Sequence, residues 1–420
     1  MALSIVLAPT GSAGDVHPFI AIARALQQRG HRVVVATSNA HRVAVERAEI
    51  AFFPVHLDMP SSLPAGMSDP ATSLDVLVRQ VLLPQLKESF ADISKACRGA
   101  DILVCGPLSL AAPLVAEKLG IPWLSVALSP TMVGSAPPAG RRRTGLRTLV
   151  RHIRQVLFAA HQTESPPWTS PIENFREELG LPRWPASRLN QPMTSPCGTL
   201  AVFSQEFARE QPNWLQPVWI TGFTWYDRAD ASQTYPPGLS EFLSKGDPPI
   251  VFTLGDSAAW FPGDFYGQSL EAVRRSGNRA VFVTGTHSDA SLTGISGDKI
   301  MVAEYAPYSQ VFPHSAAVVH SGGIGAIALC LRARRPMLLT PWAFDQPDNA
   351  GRAASLGVAR VLDRPRYKAK AIEKELQTLL SNPDYARRAN EVGSLLDAED
   401  GAAVACEQIE RAVFPNRAGL

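Results

Sequence analysis

One stretch in the last third of the chain constrains the fold more than any other: residues 318–349, VVHSGGIGAIALCLRARRPMLLTPWAFDQPDN. A short apolar run, Ala316 to Val319, predicts a buried strand, and the glycine-rich turn HSGGIG follows it. The next apolar residues recur at helical spacing, which predicts a helix. A strand, a glycine turn and a helix in this order direct free backbone N–H groups and the positive end of the helix dipole at one point. The stretch therefore predicts an α/β fold with an anion site, best suited to phosphate.

A second strand is predicted at Met337 to Thr340, and polar and aromatic residues follow it. Because ligands of open parallel sheets bind beyond the carboxyl ends of the strands, we expect both strand ends to face one pocket. In this pocket an imidazole would add an N–H to the phosphate, and a carboxylate and an amide would bind hydroxyls. The candidate residues are His320, Ser321, Gly322, Gly323, Gly325, Trp342, Asp345 and Gln346.

Each of these residues also has a purely structural explanation. His320 is explained as a hydrogen-bonded histidine at a strand end, and Gly322 with Gly323 as a tight turn. Asp345, followed by Pro347, has the features of a helix N-cap with proline in the first turn. Taken together in this order, the residues are better explained by a nucleotide-sugar site.

Length and composition limit the classes of protein to consider. A chain of 420 residues exceeds one usual core, which favours two domains, and 45% hydrophobic with 19% charged residues is typical of a soluble globular protein. The net charge of +2 argues against a nucleic-acid binder. The five cysteines are scattered without a C-x-x-C pair, so neither a disulfide framework nor a zinc site is predicted. No signal peptide or spanning helix is predicted, and we expect a cytoplasmic protein.

An alternation of strands and helices runs through both halves of the chain and predicts parallel sheets with right-handed crossovers. In the first half the strands are predicted at Leu3–Ala8, Arg32–Thr37, Ala51–Pro54, Ile102–Cys105 and Trp123–Leu128. A second alternation begins at Ile250, after a stretch with little periodicity. The predicted fold is two Rossmann-like parallel-sheet domains that face each other across a cleft holding the active site.

The turn after the first strand, GSAGD, resembles half of a dinucleotide-binding motif, but only Gly11 and Gly14 are present. No acidic residue ends the second strand either, which argues against an NAD-dependent oxidoreductase. Asp15 has two explanations: a cap of the first helix, or a carboxylate placed at the rim of the sheet as a general base. His17 is an alternative base or a partner of Asp15.

A basic amphipathic helix is predicted from Arg141 to Ala160. One interpretation is a solvated face on a helix that packs against the sheet. The other is an element that gates the acceptor or contacts a membrane, since basic amphipathic helices favour anionic lipid surfaces.

Taken together, these motifs resemble the two-domain GT-B glycosyltransferases of the UDP-glycosyltransferase superfamily, family 1. The resemblance covers nearly all of the chain and rests on GSAGDVHPFIAIARALQQRGHRV, VFTLGD, EYAP, HSGGIGA and PWAFDQPDNAGR. Within the superfamily, the chain most resembles the bacterial rhamnosyltransferases of rhamnolipid biosynthesis. The resemblance implies an acceptor-binding domain at 1–221, a linker at 222–247, a nucleotide-sugar-binding domain at 248–395, and a C-terminal helix at 396–420 that packs back on the N-terminal domain.

The resemblance also assigns roles to single residues. It implies that Asp15 activates the acceptor, that His320 binds the diphosphate on the loop of Gly322, Gly323 and Gly325, that Asp345 and Gln346 bind hydroxyls of the donor sugar, and that Tyr305, Ala306 and Pro307 form the base-binding turn. Relatives often have serine directly after the position of Gly255. Here Asp256 intervenes, so Ser257 has to make that contact, and Ala326 replaces a frequent threonine.

The implied activity is that of an inverting hexosyltransferase without a cofactor, and no D-x-D triplet calls for a metal. The expected reaction moves L-rhamnose from dTDP-rhamnose to a hydrophobic hydroxylated acceptor such as a 3-hydroxyacyl fatty acid ester, with peripheral contact at the inner face of the cell membrane. One alternative uses UDP-glucose or another dTDP- or UDP-sugar on a polyketide, sterol or other aglycone. Another is a catalytically silent nucleotide-sugar-binding activator.

Overall fold

The computed structural model describes residues 1–58, 72–134, 168–185, 194–212, 217–226, 236–255, 262–285 and 290–414, with the single positions 64, 66, 67, 69, 214 and 258. The predicted basic helix at Arg141–Ala160 and the predicted donor contact Ser257 lie outside these residues.

The first half of the chain forms a seven-stranded parallel sheet with the strand order β3-β2-β1-β4-β5-β6-β7. Its central strands are continuous apolar runs because helices cover both faces of the sheet. The strands are β1 Ser4–Ala8, β2 Arg32–Thr37, β3 Ala51–Pro54, β4 Ile102–Cys105, β5 Trp123–Ala127, β6 Thr199–Ala201 and β7 Val218–Ile220.

The second half forms a six-stranded parallel sheet with the strand order β10-β9-β8-β11-β12-β13. In both sheets the order reverses beside the first strand of its half, β1 or β8, and this is where ligands of open α/β sheets bind. The strands are β8 Ile250–Thr253, β9 Ala280–Val283, β10 Ile300–Ala303, β11 Ala317–His320, β12 Met337–Leu339 and β13 Ala359–Val361.

Helices connect the strands and complete the α/β layers. Those of the described residues are α1 Ala13–Gln28, α2 Arg42–Arg47, α3 Ser73–Leu77, α4 Leu86–Ala96, α5 Ala112–Leu119, α6 Thr169–Glu178, α7 Leu239–Ser244, α8 Phe265–Ser276, α9 Tyr308–Val311, α10 Ile324–Arg332, α11 Gln346–Ser355, α12 Ala369–Ser381, α13 Pro383–Leu396 and α14 Gly401–Val413.

The stretch predicted as an aperiodic linker contains a helix, α7. It begins after Gly238, whose φ is 79°, and it buries Leu239 and Phe242. These two side chains are three residues apart and therefore lie on one face of the helix. A helix of six residues offers too short a pattern to be recognised from the sequence.

The chain passes between the two sheets twice, and the two passages contact each other. The first runs through Gly222 and Phe223, and the second ends at Gly401, where a Cβ atom would overlap the carbonyl groups of both. Beside them the Ser204 hydroxyl donates to Glu399 over 2.6 Å. After the second passage, α14 packs on α1.

Candidate active site

The glycine turn that follows β11 has the geometry of an anion site. Gly322 has a φ of 89°, and a Cβ atom there would lie 3.2 Å from the carbonyl oxygen of Gln346, so the position requires glycine. Gly323 is the N-cap of α10, and Gly325 in its first turn is exposed with open space beside it. The first N–H groups of a helix have no partner within the helix, so those of α10 are available to an anion.

Three side chains hold this turn in place. The Ser321 hydroxyl donates to the carbonyl of Leu254, beyond β8, over 2.9 Å. The Gly322 N–H donates to Nδ1 of His320 over 3.2 Å, and the Gly322 carbonyl accepts from Nδ2 of Asn349 over 3.2 Å. Because both backbone groups of Gly322 are bonded, the turn is fixed before any ligand arrives.

His320 lies beneath the turn. The residue is 1% exposed, and burial lowers the pKa of its imidazole to about 3, so the ring is neutral. Since Nδ1 accepts from Gly322, the ring proton lies on Nε2, which is 3.9 Å from the Cys330 sulfur. In this structure the imidazole supports the turn, and a direct N–H to phosphate stays a prediction.

The loop after β12 is shaped by Gln346. Its Oε1 accepts from the backbone N–H groups of Trp342, over 2.8 Å, and Ala343, over 3.2 Å. The Trp342 ring is buried against Phe265, with 5.9 Å between the ring centroids. This packing accounts for the tryptophan structurally, and contacts of Trp342 and Gln346 with a donor stay predictions.

Asp345 joins the two halves of the molecule. Its carboxyl accepts from Asn349 Nδ2 over 2.8 Å and is hydrogen-bonded by Ser129, which follows β5 of the first sheet. Burial raises the pKa of this carboxyl, and the two hydrogen bonds oppose that shift. The adjacent Phe344, with φ at 56°, packs against the apolar cores of both halves. The carboxyl edges of the two sheets therefore meet at this loop.

The predicted base-binding turn follows β10 on the same edge of the second sheet. Tyr305 is 37% exposed, whereas Ala306 and Pro307 are buried. The next residue, Tyr308, places its hydroxyl 2.6 Å from that of Thr253, which also accepts from the N–H of Gly255 over 3.4 Å. The turn is thus linked to the end of β8.

Asp15 lies at the carboxyl edge of the first sheet, in the first turn of α1. Its Oδ2 accepts from the N–H and the hydroxyl of Ser12, over 2.8 Å and 2.9 Å. A Cβ atom at Gly11, where φ is 130°, would overlap this carboxylate. The cap expected as one explanation of Asp15 is therefore present, and a carboxylate bonded in this way still accepts a proton.

His17 contacts a residue far away in the sequence. Its ring lies 5.1 Å from that of Tyr226, in an edge-to-face arrangement, and the Tyr226 hydroxyl donates to the Ala44 carbonyl over 3.0 Å. Nearby, His41 Nε2 is 3.0 Å from the Gly11 carbonyl oxygen. The sequence analysis did not find Tyr226 or His41 because nothing in their local sequence indicates contact with the first helix.

Comparisons with known proteins show that the chain is similar to glycosyltransferases. Residues 5–137 match the glycosyltransferase family 28 N-terminal domain. The chain is 29% identical to an O-mycaminosyltylonolide 6-deoxyallosyltransferase of Streptomyces fradiae, over 97% of each chain. It is 28% identical to a vancomycin aglycone glucosyltransferase of Amycolatopsis orientalis, over 98% of each.

Solved structures agree in fold. The glycotransferase of kitacinnamycin superposes with a TM-score of 0.76 at 21% identity, over 98% of this chain and 100% of that one. The spinosyn rhamnosyltransferase SpnG, complexed with thymidine diphosphate, superposes with a TM-score of 0.68 at 18% identity, over 97% and 100%. The chain has the two-domain GT-B fold of these glycosyltransferases.

In the second half of the chain, one hydrogen-bonded cluster contains the predicted donor residues His320, Gly322 and Asp345. The predicted acceptor residues Asp15 and His17 lie at the start of α1, at the edge of the other sheet. The sequence analysis missed Asn349 and Ser129. The signal for Asn349 was its position four residues after Asp345 on a helix, whereas Ser129 has no local signal.

Among the described residues, none of the helices combines the length and the apolar composition that a membrane span requires. No cluster of three or more His, Cys, Asp or Glu side chains arranged to hold a metal occurs in this part of the chain either.

Proposed function

We propose that this protein is a glycosyltransferase that transfers a sugar from a nucleoside diphosphate to a hydroxyl of a hydrophobic aglycone, with inversion at the anomeric carbon. One observation carries the proposal: a preformed glycine turn at the N-terminus of α10 lies one hydrogen-bonded side chain away from the Asp345 carboxylate. A nucleotide sugar needs both features, an anion site for the diphosphate and an acceptor for sugar hydroxyls. In this proposal, residues 248–395 bind the donor and residues 1–221 bind the acceptor.

The turn would contribute to catalysis through electrostatics. Negative charge grows on the diphosphate as the glycosidic bond breaks, and N–H groups already aimed at it stabilise that charge without rearrangement. Removal of one such donor typically costs on the order of 10²–10³ in turnover. The neutral His320 supports the turn without adding a charge that could trap the released diphosphate.

At the other edge, Asp15 would take the proton of the acceptor hydroxyl as that oxygen attacks the anomeric carbon from the face opposite the diphosphate. A carboxylate suffices for this because general-base catalysis requires the proton to move only in the transition state. A single displacement then inverts the configuration.

The names of the relatives support a dTDP- or UDP-sugar donor and a polyketide, sterol or other aglycone as the acceptor. One relative is named for a deoxysugar transferred to O-mycaminosyltylonolide, another for the vancomycin aglycone, and the solved structure of SpnG holds thymidine diphosphate. Transfer of L-rhamnose to a 3-hydroxyacyl lipid, at the surface of a membrane, is the second candidate, and the resemblance of the sequence motifs favours it.

The test is incubation of the purified enzyme with a panel of dTDP- and UDP-sugars and two acceptor sets, polyketide or sterol aglycones and 3-hydroxyacyl lipids. Mass spectrometry identifies the glycoside, and NMR determines its anomeric configuration. A glycoside of inverted configuration is expected, and the acceptor set that yields it decides between the candidates. Retention of configuration, or donor binding with neither transfer nor hydrolysis, would overturn the proposal; the second result is the one a silent activator gives.

A further inference from the structure

Asn349 is a fully buried residue on α11 whose amide serves two acceptors at once. Nδ2 donates to the Gly322 carbonyl over 3.2 Å and to the Asp345 carboxylate over 2.8 Å. The opposite placement of the amide is excluded, because it would turn the Asn349 oxygen towards two other acceptors. Both N–H bonds of the side chain are therefore used to join the turn after β11 to the acid after β12.

The oxygen of this amide lowers the stability of the folded protein, because a buried acceptor without a hydrogen bond costs free energy. The Asn349 Oδ1 is buried without a hydrogen-bond partner among the described residues. A leucine or alanine would avoid this unpaired acceptor, so its presence indicates that the two donated bonds outweigh it. A buried polar atom without a partner calls for an explanation, and for Asn349 the two donated bonds supply one.

We infer that Asn349 is a positioning residue that sets the spacing between the phosphate turn and the sugar-binding carboxylate, an inference that rests on the proposed function. Gly322 is bonded through its N–H to His320 and through its carbonyl to Asn349. Asp345 shares the same amide and follows the left-handed Phe344. Since a nucleotide sugar spans both subsites, a fixed distance between them lets the diphosphate and the sugar bind together without a rearrangement of the loop.

The inference predicts a pattern across two ligands, thymidine diphosphate and dTDP-rhamnose, measured by calorimetry. Asn349→Ala should weaken both ligands by about 10- to 100-fold, because it releases the turn and the acid together. Asp345→Asn should weaken only dTDP-rhamnose, since thymidine diphosphate has no sugar in the second subsite. The matched control is Asn382→Ala, which removes an asparagine bond to the backbone N–H of Asp384 at the start of α13 and should leave both ligands unaffected.

Asn349→Asp adds a readout that a merely structural residue would not change. Two carboxyl groups at this distance cannot both ionise, so one of the pair takes up a proton with a raised pKa. The protonated pair restores one donated bond, and turnover of this variant should recover as the pH is lowered from 8 to 6, unlike that of the wild type. The other titratable groups close to this pair are Asp348, which is paired with Arg352 over 2.6 Å, and His320 behind the turn, whose ring is neutral.

The outcomes separate the inference from the proposed function. A wild-type enzyme that binds neither of these ligands, nor uridine diphosphate or UDP-glucose, contradicts the proposed function itself. Normal binding of thymidine diphosphate by Asn349→Ala, or a wild-type pH profile for Asn349→Asp, overturns the positioning role while leaving glycosyl transfer intact. If Asn349→Ala does not fold, the pH profile of Asn349→Asp decides alone.

Discussion

The carboxyl edges of the two sheets hold their functional groups in different ways. At the second sheet the glycine turn is bonded to Leu254, 67 residues before Ser321, and to Asn349, 27 residues after Gly322. At the first sheet the Asp15 carboxylate is bonded to Ser12, three residues away. The predicted donor edge is thus held by long-range contacts, which would keep it the same for every ligand that carries a diphosphate. The predicted acid of the acceptor edge is held within its own helix and depends less on the loops around it.

The largest effect should come from Asp15, and it tests whether the acceptor edge holds a base or only a cap. Asp15→Asn keeps an oxygen for the Ser12 N–H, so it should retain stability and thymidine diphosphate binding while turnover falls by about 10²–10⁴. Asp15→Ala should lose the same turnover and, in addition, about 0.5–2 kcal/mol of stability with the cap. Steady-state kinetics and urea unfolding measure the two effects. Near-normal turnover of Asp15→Asn would show that Asp15 only caps α1, and His17 would then be the candidate base.

A smaller effect is expected at the donor edge from Gly322→Ala. A left-handed backbone costs an alanine about 1–2 kcal/mol, and the new methyl would press on the Gln346 carbonyl, so affinity for thymidine diphosphate should fall by about 5- to 30-fold. Gly277→Ala is the matched control: its φ is 71°, it ends α8, and a Cβ atom there contacts nothing. Both variants should lose stability, and only the first should lose ligand affinity. If Gly322→Ala and Gly277→Ala bind thymidine diphosphate with equal affinity, the diphosphate does not bind at the Gly322 turn.

The smallest effect concerns the buried imidazole of the donor edge. The pKa of His320 is about 3 in the folded protein against 6.5 for a free histidine, so below pH 6.5 only the unfolded chain takes up a proton. Its contribution to stability therefore declines as the pH falls, by about 1.4 kcal/mol per unit. Urea unfolding at pH 7.0 and 5.5 should show less decline for His320→Gln than for the wild type. His314→Gln, which removes an exposed imidazole, should behave as the wild type does, and an unchanged slope in His320→Gln would contradict a neutral buried ring.

The parallel sheets were predictable because their strands carry a local signal. β2, β3 and β4 have the predicted bounds, and β5 ends one residue early, since buried parallel strands are uninterrupted apolar runs between turns. The sequence analysis did not predict α2 or β13, which span only six and three residues. Local patterns this brief do not distinguish a helix or strand from a loop.

The site was predictable where neighbouring residues in the sequence carry the chemistry themselves, as in the glycine turn after β11. What could not be predicted is the network around them. The same residue type, serine, bonds a distant carbonyl at Ser321 and the opposite sheet at Ser129. These partners are set by the approach of two sheets, which no pattern within a single segment encodes. The comparisons with known proteins support the proposed chemistry, and the contacts of the described residues hold the candidate site in place.

The paired passages of the chain between the sheets have a mechanical consequence. A Cβ atom at Gly401 would overlap the carbonyl groups of Gly222 and Phe223, so the two connections pack against each other at this point. We expect any movement of one half relative to the other to pivot about these paired connections. A side chain added at position 401 would force them apart and should therefore alter how far the two halves can move relative to each other.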